Sequence, residues 1–316
     1  MFTVLREGVG FLKKHLFVQD EGGCLMNILV VYKKNFEEVH DTGLNALKAI
    51  LQKVGEDAHT VDYKPREHVR RADFIARDLV VVFGGDGTLT SLSHNIDAAT
   101  PVMGVNSHPR IDDPDGSYGF YMDSSIATLE DDLQRAIRGE AIINELPRLQ
   151  AIIDSTSGNR FTTDPAMNDL LIANTHQYAP SKYHLRRGDR QCHQQSSGLL
   201  FSTWFGQGAW LRNVMSHEEF QTLKQQATET HSDGHYFVLA RDLSPEQRAS
   251  QPWAWTDWTA EETTLTSDMH RGYVVPDGWD EVHFNRGATI TVNAEAPKLI
   301  LLTFRTSMEE KLESAF

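Results

Sequence analysis

Cysteine is scarce in this chain of 316 residues. Its two cysteines, Cys24 and Cys192, stand far apart and join no metal-spaced cluster. The sequence therefore carries neither a disulfide framework nor a thiolate metal site. Both read as free thiols of a reducing, cytoplasmic compartment. Basic residues are in deficit as well: 30 Lys and Arg against 44 Asp and Glu leave a net charge of −14. No basic arm or stripe exists, which argues against binding to a nucleic-acid backbone. The longest apolar runs, such as Leu79–Phe83 and Leu299–Leu302, fall far short of the roughly 20 residues of a membrane-spanning helix, so no membrane partner is expected. Neither a Gly-x4-Gly-Lys-Ser/Thr loop nor a Gly-x-Gly-x-x-Gly turn after a strand occurs. Any phosphate site in so acidic a chain must be a local device, built from backbone N–H groups, a helix N-terminus or a metal ion.

What is present begins at Met26. Residues 1–25 read as a poorly structured extension ending in a Gly pair, and Met26 opens an apolar strand. Strand and helix patterns then alternate. Ile28–Tyr32, Leu79–Phe83 and Pro101–Asn106 are unbroken apolar strands, while Glu37–Val54 and Ser125–Arg138 carry apolar residues at helical spacing. Such a run implies a parallel sheet covered on both faces. Beyond about residue 140 short alternating segments between turns indicate a β-rich region, with a helix around Trp210–Gln226 and a loop over 244–270. The expected fold class is an α/β N-terminal domain with a parallel sheet plus a β-rich C-terminal domain.

The strongest chemical signal is Leu79-Val-Val-Val-Phe-Gly-Gly-Asp-Gly-Thr88. An apolar strand runs into Gly84, Gly85, Asp86, Gly87 and Thr88, and a helix is expected from Leu89. Glycines let the backbone turn and let a phosphate approach, and a helix N-terminus supplies N–H donors and partial positive charge. An anionic Asp beside phosphate needs a chemical role. Accepting a proton from an attacking hydroxyl is one, and helping to hold Mg²⁺ is another.

A Gly-Gly-Asp-Gly-Thr turn after a strand resembles a set of kinases: NAD kinases, diacylglycerol and sphingosine kinases, and phosphofructokinases. Later segments choose among them. Gly104-Val-Asn-Ser107, Gly119-Phe120, Asn168-Asp169 and Gln195-Ser-Ser-Gly-Leu-Leu-Phe-Ser-Thr-Trp-Phe-Gly-Gln-Gly-Ala-Trp210 are similar, in that order, to segments of NAD kinases. The plant and mitochondrial NADH kinase branch is the most alike. Weaker matches are Val238–Asp242, Tyr273–Gly278 and Phe284–Val292, so the resemblance runs from about residue 26 to 305. Trp204, Phe205 and Gln207 depart from the family's Thr-Gly-Thr-Gly-Ser turn. They either stack on a base or fill the adenosine pocket.

The resemblance implies an NAD kinase-like fold. An α/β domain over 26–140 would be joined by 299–316, and a β-rich dinucleotide-binding domain would span 141–298, with the active site between them. It implies ATP-dependent phosphorylation of the adenosine-ribose 2′-hydroxyl of NAD or NADH, with Mg²⁺ accompanying ATP near Asp86 and no other metal. Asp86 would be catalytic. Gly84, Gly85, Gly87, Thr88, Asn106, Asn168, Asp169, Ser197, Thr203, Ala209 and Trp210 would bind nucleotides. A cytoplasmic homodimer or homotetramer is the implied state. Two other readings stay open: a catalytically silent dinucleotide-binding protein, and a phosphofructokinase-like sugar kinase. Outside the resemblance, His231, Asp233 and His235 read as a polar loop rather than a metal site. The acidic stretch Arg110–Gly116 reads as a solvated turn. Arg186, Arg187 and Arg190 either meet phosphates or lie solvated on a hairpin.

Overall fold

The computed structural model describes residues 26–33, 38–55 and 59–315. The expected extension 1–25, and Cys24 with it, lies outside the described residues. The chain divides into two compact units: the part up to Glu145 with Leu299–Phe316, and Leu146–Lys298.

The first unit is α/β. Its elements are β1 (Met26–Tyr32), α1 (Glu38–Gly55), β2 (His59–Pro65), β3 (Leu79–Gly84), α2 (Asp86–Ser93), β4 (Pro101–Asn106), β5 (Ser124–Ser125) and α3 (Leu129–Ile137). Strands β4, β3, β1 and β2 lie side by side in that order, all parallel, and residues 300–302 add a further parallel strand beside β4. Every residue of β3 and β4 is buried, which is why both are unbroken apolar runs. Leu47 and Leu51 of α1 and Leu129, Leu133 and Ala136 of α3 join the β1, β3 and β4 side chains in one core. The expected helix at Leu89 starts instead at Asp86, because extended Gly85 can serve as its N-cap. α3 starts at Leu129 rather than Ser125, since residues 125–128 close a turn through Thr128 N–H to the Ser125 carbonyl, 3.1 Å.

The second unit is β-rich. It contains β6 (Ile142–Asp154, entering from the first unit), β7 (Arg160–Thr162), β8 (Asp169–Asn174), β9 (Ser181–Arg187), β10 (Arg190–Ser196), β11 (Leu199–Ser202), α4 (His217–Thr230) and β12 (Tyr236–Ala240). There follow α5 (Pro245–Ser250), α6 (Pro252–Trp255), β13 (Thr256–Thr259), β14 (Thr263–Ser267), β15 (Arg271–Pro276), β16 (Val282–Asn285) and β17 (Thr289–Thr303), whose last residues belong to the first unit, as does α7 (Met308–Ala315). One antiparallel sheet has the order β13-β12-β11-β8-β15-β16, and another sets β10, β9, β14 and the start of β17 side by side. Leu170, Ile172, Phe201 and Val238 of the first share a core with Tyr183, Leu185, Leu265 and Ile290 of the second.

Contrary to the sequence-based expectation, residues 244–270 are not a loop but two short helices and two strands. Ser244 caps α5, and Pro245 and Pro252 stand at the first turns of α5 and α6, where proline lacks no needed N–H. The helix expected over 210–226 begins only at His217, where Ser216 and Glu219 form a capping box.

A charged network ties the end of the chain into the first unit. Asp123 accepts the Phe304 N–H at 2.6 Å and pairs with Lys311 at 2.7 Å, and Arg305 pairs with Asp132 at 2.9 Å. Asp123 and Asp132 are almost wholly buried. Burial raises the Asp123 carboxyl, but Lys311, the Phe304 N–H and Arg305 outweigh it and hold the group below the usual carboxylate range. Its contribution is therefore present above the ordinary value of about 4 and is lost as pH falls through the lower folded value. Asp123→Ala should cost about 3 kcal/mol at neutral pH, because the largely buried Lys311 loses its counter-charge. Urea unfolding at pH 7 and pH 3 should show the difference between variant and wild type shrinking at the lower pH.

Candidate active site

In the first unit the Gly-Gly-Asp-Gly-Thr turn sits at the carboxyl edge of the parallel sheet, where open α/β sheets bind ligands. Gly84 and Asn106 end neighbouring strands in register, and Ser107 N–H donates to the Gly84 carbonyl at 3.0 Å. Asp86 is the first residue of α2, where the helix dipole favours negative charge. Its carboxylate accepts three hydrogen bonds, from Gly119 N–H at 2.8 Å, Ser117 hydroxyl at 3.2 Å and Tyr121 N–H at 2.8 Å. Asp86 thus holds the 117–121 segment against the turn and is itself fixed by that segment.

The three glycines have different reasons. A Cβ on Gly84 would lie 2.5 Å from the Thr88 hydroxyl, and one on Gly85 would lie 2.8 Å from Ser117. Those two are required by close packing within the turn. A Cβ on Gly87 would meet nothing within 4 Å, and Gly87 is exposed in helical backbone. The fold makes no demand for glycine there, although Gly in a helix is less stable than Ala by up to about 1 kcal/mol. What the missing side chain leaves open is the N-terminus of α2. Thr88 helps to close the turn, its N–H donating to the Gly85 carbonyl at 2.9 Å. Asn106 is likewise engaged at both ends, donating to the Ser117 carbonyl at 3.3 Å and accepting the His108 N–H at 3.2 Å. The acidic stretch after it forms an exposed turn in which Asp113 pairs with His108 at 2.9 Å.

In the second unit the centre is Asp169, at the start of β8 and 7% exposed. Its Oδ2 accepts the Trp210 N–H at 3.3 Å, while its Oδ1 is buried with no hydrogen-bond partner. Burial, and then the negative charge of Asp277, push its carboxyl up to about 8. An unsatisfied buried acceptor is costly, so this oxygen is suited to a donor supplied from outside. Asp277 is the residue that sequence reasoning missed. Its carboxylate accepts the N–H groups of Met167, Asn168 and Asp169 at 2.7, 2.8 and 2.9 Å, and its own N–H donates to the Asp169 carbonyl at 2.8 Å. The Asp277-Gly278 turn was visible in the sequence, but its partner lies 108 residues away.

The Ser202–Trp210 turn wraps round the same point. The Asn168 carbonyl accepts both the Thr203 N–H at 2.9 Å and the Ser202 hydroxyl at 3.2 Å. The Thr203 hydroxyl donates to the Met167 carbonyl and accepts the Gly206 N–H. A Cβ on Gly206 would lie 2.3 Å from the Asn168 carbonyl oxygen, so glycine is required there. Ala209 and Trp210 are exposed beside it, with Arg241 lying 5.1 Å over the Trp210 ring. The structure therefore gathers Asn168, Asp169, Thr203, Ala209 and Trp210. It does not bring Ser197 to them. Ser202 is in register with Asp169, and Ser197 lies beyond the other end of β11, roughly 10 Å or more away at the rise of a strand.

The departures Trp204, Phe205 and Gln207 face inward. Trp204 stacks on His231 with ring centroids 4.2 Å apart, lies near Phe237 and Trp258, and is 6% exposed. Its ring is therefore not free to stack on a nucleotide base. Phe205 is 7% exposed and Gln207 fully buried. Of the three arginines of the β9–β10 hairpin, Arg187 and Arg190 have partners within the fold, whereas Arg186 is exposed. Arg187 is fully buried, bonded to Asp257 at 2.6 Å and to the Thr263 hydroxyl at 3.1 Å, and Arg190 pairs with Glu261. Both are held by the protein's own carboxylates.

Two stability measurements check this geometry. Gly84→Ala should lower the melting temperature, whereas Gly87→Ala should leave it unchanged or raise it. The raised Asp169 carboxyl means that wild type loses stability progressively as pH rises from about 4 to about 8. Asp169→Asn should therefore be the more stable protein at pH 8, with the gap closing toward pH 5 in chemical denaturation.

No family model matches the chain. Among curated proteins it is similar to a probable NADH kinase of Oryza sativa subsp. japonica, 26% identical over 203 residues. That match takes in 57% of this chain and 60% of the rice protein. Among solved structures it resembles an NAD kinase from Archaeoglobus fulgidus in complex with ATP, with a TM-score of 0.66 and 15% identity over 92% of this chain and all of that one. A yeast NADH kinase complexed with NADH gives a TM-score of 0.68 and 13% identity over 95% of this chain and 92% of that one. The likenesses in sequence and in fold converge on one group, and the chain has the fold of the NAD and NADH kinases.

Proposed function

We propose that this protein transfers the γ-phosphoryl group of ATP to the 2′-hydroxyl of the adenosine ribose of NAD or NADH, giving NADP or NADPH and ADP. The observation that carries the reading is the strand-to-helix turn in which a pinned Asp86 carboxylate stands beside the open helix N-terminus at Gly87. The sequence and fold likenesses to NAD and NADH kinases support the choice of acceptor.

The chemistry follows from the groups present. A new bond forms between the ribose oxygen and the γ-phosphorus, the bond from that phosphorus to the ADP oxygen breaks, and the hydroxyl proton is released. Among the described residues Asp86 Oδ1 accepts one hydrogen bond, from Tyr121 N–H. A carboxylate oxygen can accept two, so Oδ1 can also take the hydroxyl proton. The Gly87 N–H at the α2 N-terminus would meet a phosphate oxygen, with the helix end supplying partial positive charge, while the Asp86 and Thr88 N–H groups bond to the Ser117 hydroxyl and the Gly85 carbonyl. Mg²⁺ would enter with ATP as part of that substrate, offsetting charge on the triphosphate. Asp169 Oδ1 would accept a ribose hydroxyl of the dinucleotide, and Asn168 beside it would donate or accept. Such catalysis is mostly positioning and charge stabilisation. The reading extends to a cytoplasmic homodimer or homotetramer, which light scattering on the purified protein would check; no helix among the described residues is long and apolar enough to cross a membrane.

The test is incubation of the purified protein with ATP, Mg²⁺ and either NAD or NADH, with enzymatic quantification of NADP(H). Asp86→Asn should lower kcat at least about 100-fold. Asp169→Asn should chiefly raise KM for the dinucleotide, by about tenfold. Gly87→Ala should lose turnover while keeping its melting temperature. Near wild-type turnover in Asp86→Asn would remove that residue from the chemistry. Binding of NAD without product from either acceptor would instead support a silent dinucleotide-binding protein, the reading that the inward-filling Trp204 and Phe205 favour.

A further inference from the structure

The β9–β10 hairpin alternates buried and exposed residues, and its exposed face carries His184 and His193. The strand register sets these two directly opposite each other, where cross-strand side chains touch. Their ring centroids are 4.8 Å apart. Asp268, in the turn after β14, reaches the same spot. Its Oδ2 lies 3.1 Å from His184 Nε2 and 3.3 Å from His193 Nε2. One oxygen and two imidazole nitrogens thus converge, all within 4.8 Å of one another. The reaction proposed above makes no use of these residues.

We infer that His184, His193 and Asp268 form a binding site for a divalent transition-metal ion of the zinc class. Geometry and donor chemistry both carry this. Zinc holds His nitrogen and carboxylate oxygen at about 2.0–2.2 Å, which puts tetrahedral neighbours roughly 3.3–3.5 Å apart. The two nitrogen–oxygen separations are close to that edge length, so a small opening of the triangle admits an ion. Two imidazoles with a single carboxylate suit zinc, cobalt, nickel or copper, whereas magnesium and calcium want mostly oxygen. Lys182 and Arg186 flank His184 on the exposed face and further disfavour an ion held by charge alone. The backbone that carries the Asp268 side chain is also held in place. Asp268 N–H donates to the Lys182 carbonyl at 2.9 Å, and its carbonyl accepts Arg286 Nε at 3.1 Å. Those bonds fix the position of the turn from which the carboxylate projects. Three protein ligands leave a fourth position to water or another small donor. The bound ion would staple the edge hairpin to the β14–β15 turn.

The test uses the full chain, freed of metal with a chelator and titrated with Co²⁺ and then Zn²⁺. One equivalent of Co²⁺ should give a visible d–d spectrum that Zn²⁺ abolishes, and Mg²⁺ in excess should not compete. The His184→Gln/His193→Gln double variant should bind Co²⁺ at least about 100-fold more weakly, and Asp268→Asn at least about tenfold. A His231→Gln/His235→Gln variant controls for the other histidines and should bind as wild type does. Both imidazoles stand on the exposed face, so equal melting temperatures in chelator should show that the double variant is folded. Zn²⁺ should then raise the melting temperature of wild type and of Asp86→Asn but not of the double variant. Uptake of no Co²⁺ by wild type, or equal uptake by wild type and the double variant, would overturn the assignment.

Discussion

The Met167–Asp169 segment hangs on one carboxylate. Three successive N–H groups there donate to the Asp277 carboxylate. Buried backbone donors must be paired somewhere, and in an irregular segment a short acidic side chain can do so. The same device recurs in the first unit. Asp86 takes the N–H groups of Gly119 and Tyr121, and Asp123 takes that of Phe304. Where regular structure stops, carboxylates complete the hydrogen bonding, and the candidate chemistry rests on the segments they hold. For Asp277 the backbone around it also conforms, with φ at 48°, a conformation that Asp tolerates better than most residues.

This use of acidic side chains gives the net charge of −14 a different meaning. Several of the acidic residues are internal ties rather than a solvated shell. A chain of that charge can still receive phosphates if the local field is set by N–H groups and a helix end instead of lysines. Asp86 is already surrounded by donors, so it offers less repulsion to an anion than a bare carboxylate would. Asp169 shows the opposite balance. Buried near Asp277, it holds its proton to higher pH.

Much of this was legible in the linear order of residues. The unbroken apolar runs marked β1, β3 and β4, and the Gly-Gly-Asp-Gly-Thr turn marked the carboxyl edge of that sheet. Asn168-Asp169 stood out only through its resemblance to a segment of NAD kinases. What escaped has a common cause, which is dependence on distant partners. Arg187 read either as a phosphate contact or as a solvated hairpin residue, and its buried bonds to Asp257 and Thr263 make it neither. Ser197 looked adjacent to Thr203 in sequence, but a strand lies between them. Residues 244–270 had no periodicity because their elements are four to six residues long, too short for a pattern to repeat.

The sequence by itself determined the composition of the two units and the place of the Gly-Gly-Asp-Gly-Thr turn, because hydrophobic period and glycine placement act over a few neighbouring residues. It also determined the departure of Trp204, Phe205 and Gln207 from the turn of similar kinases. Only the tertiary structure decided where those three side chains go, since burial depends on what packs above them. It alone separated the glycines needed for packing at 84 and 85 from the one left open at 87. It alone joined Asp277 to Met167–Asp169 and set His184, His193 and Asp268 on one spot. Strand register and long loops make those meetings, and neither is written in local sequence.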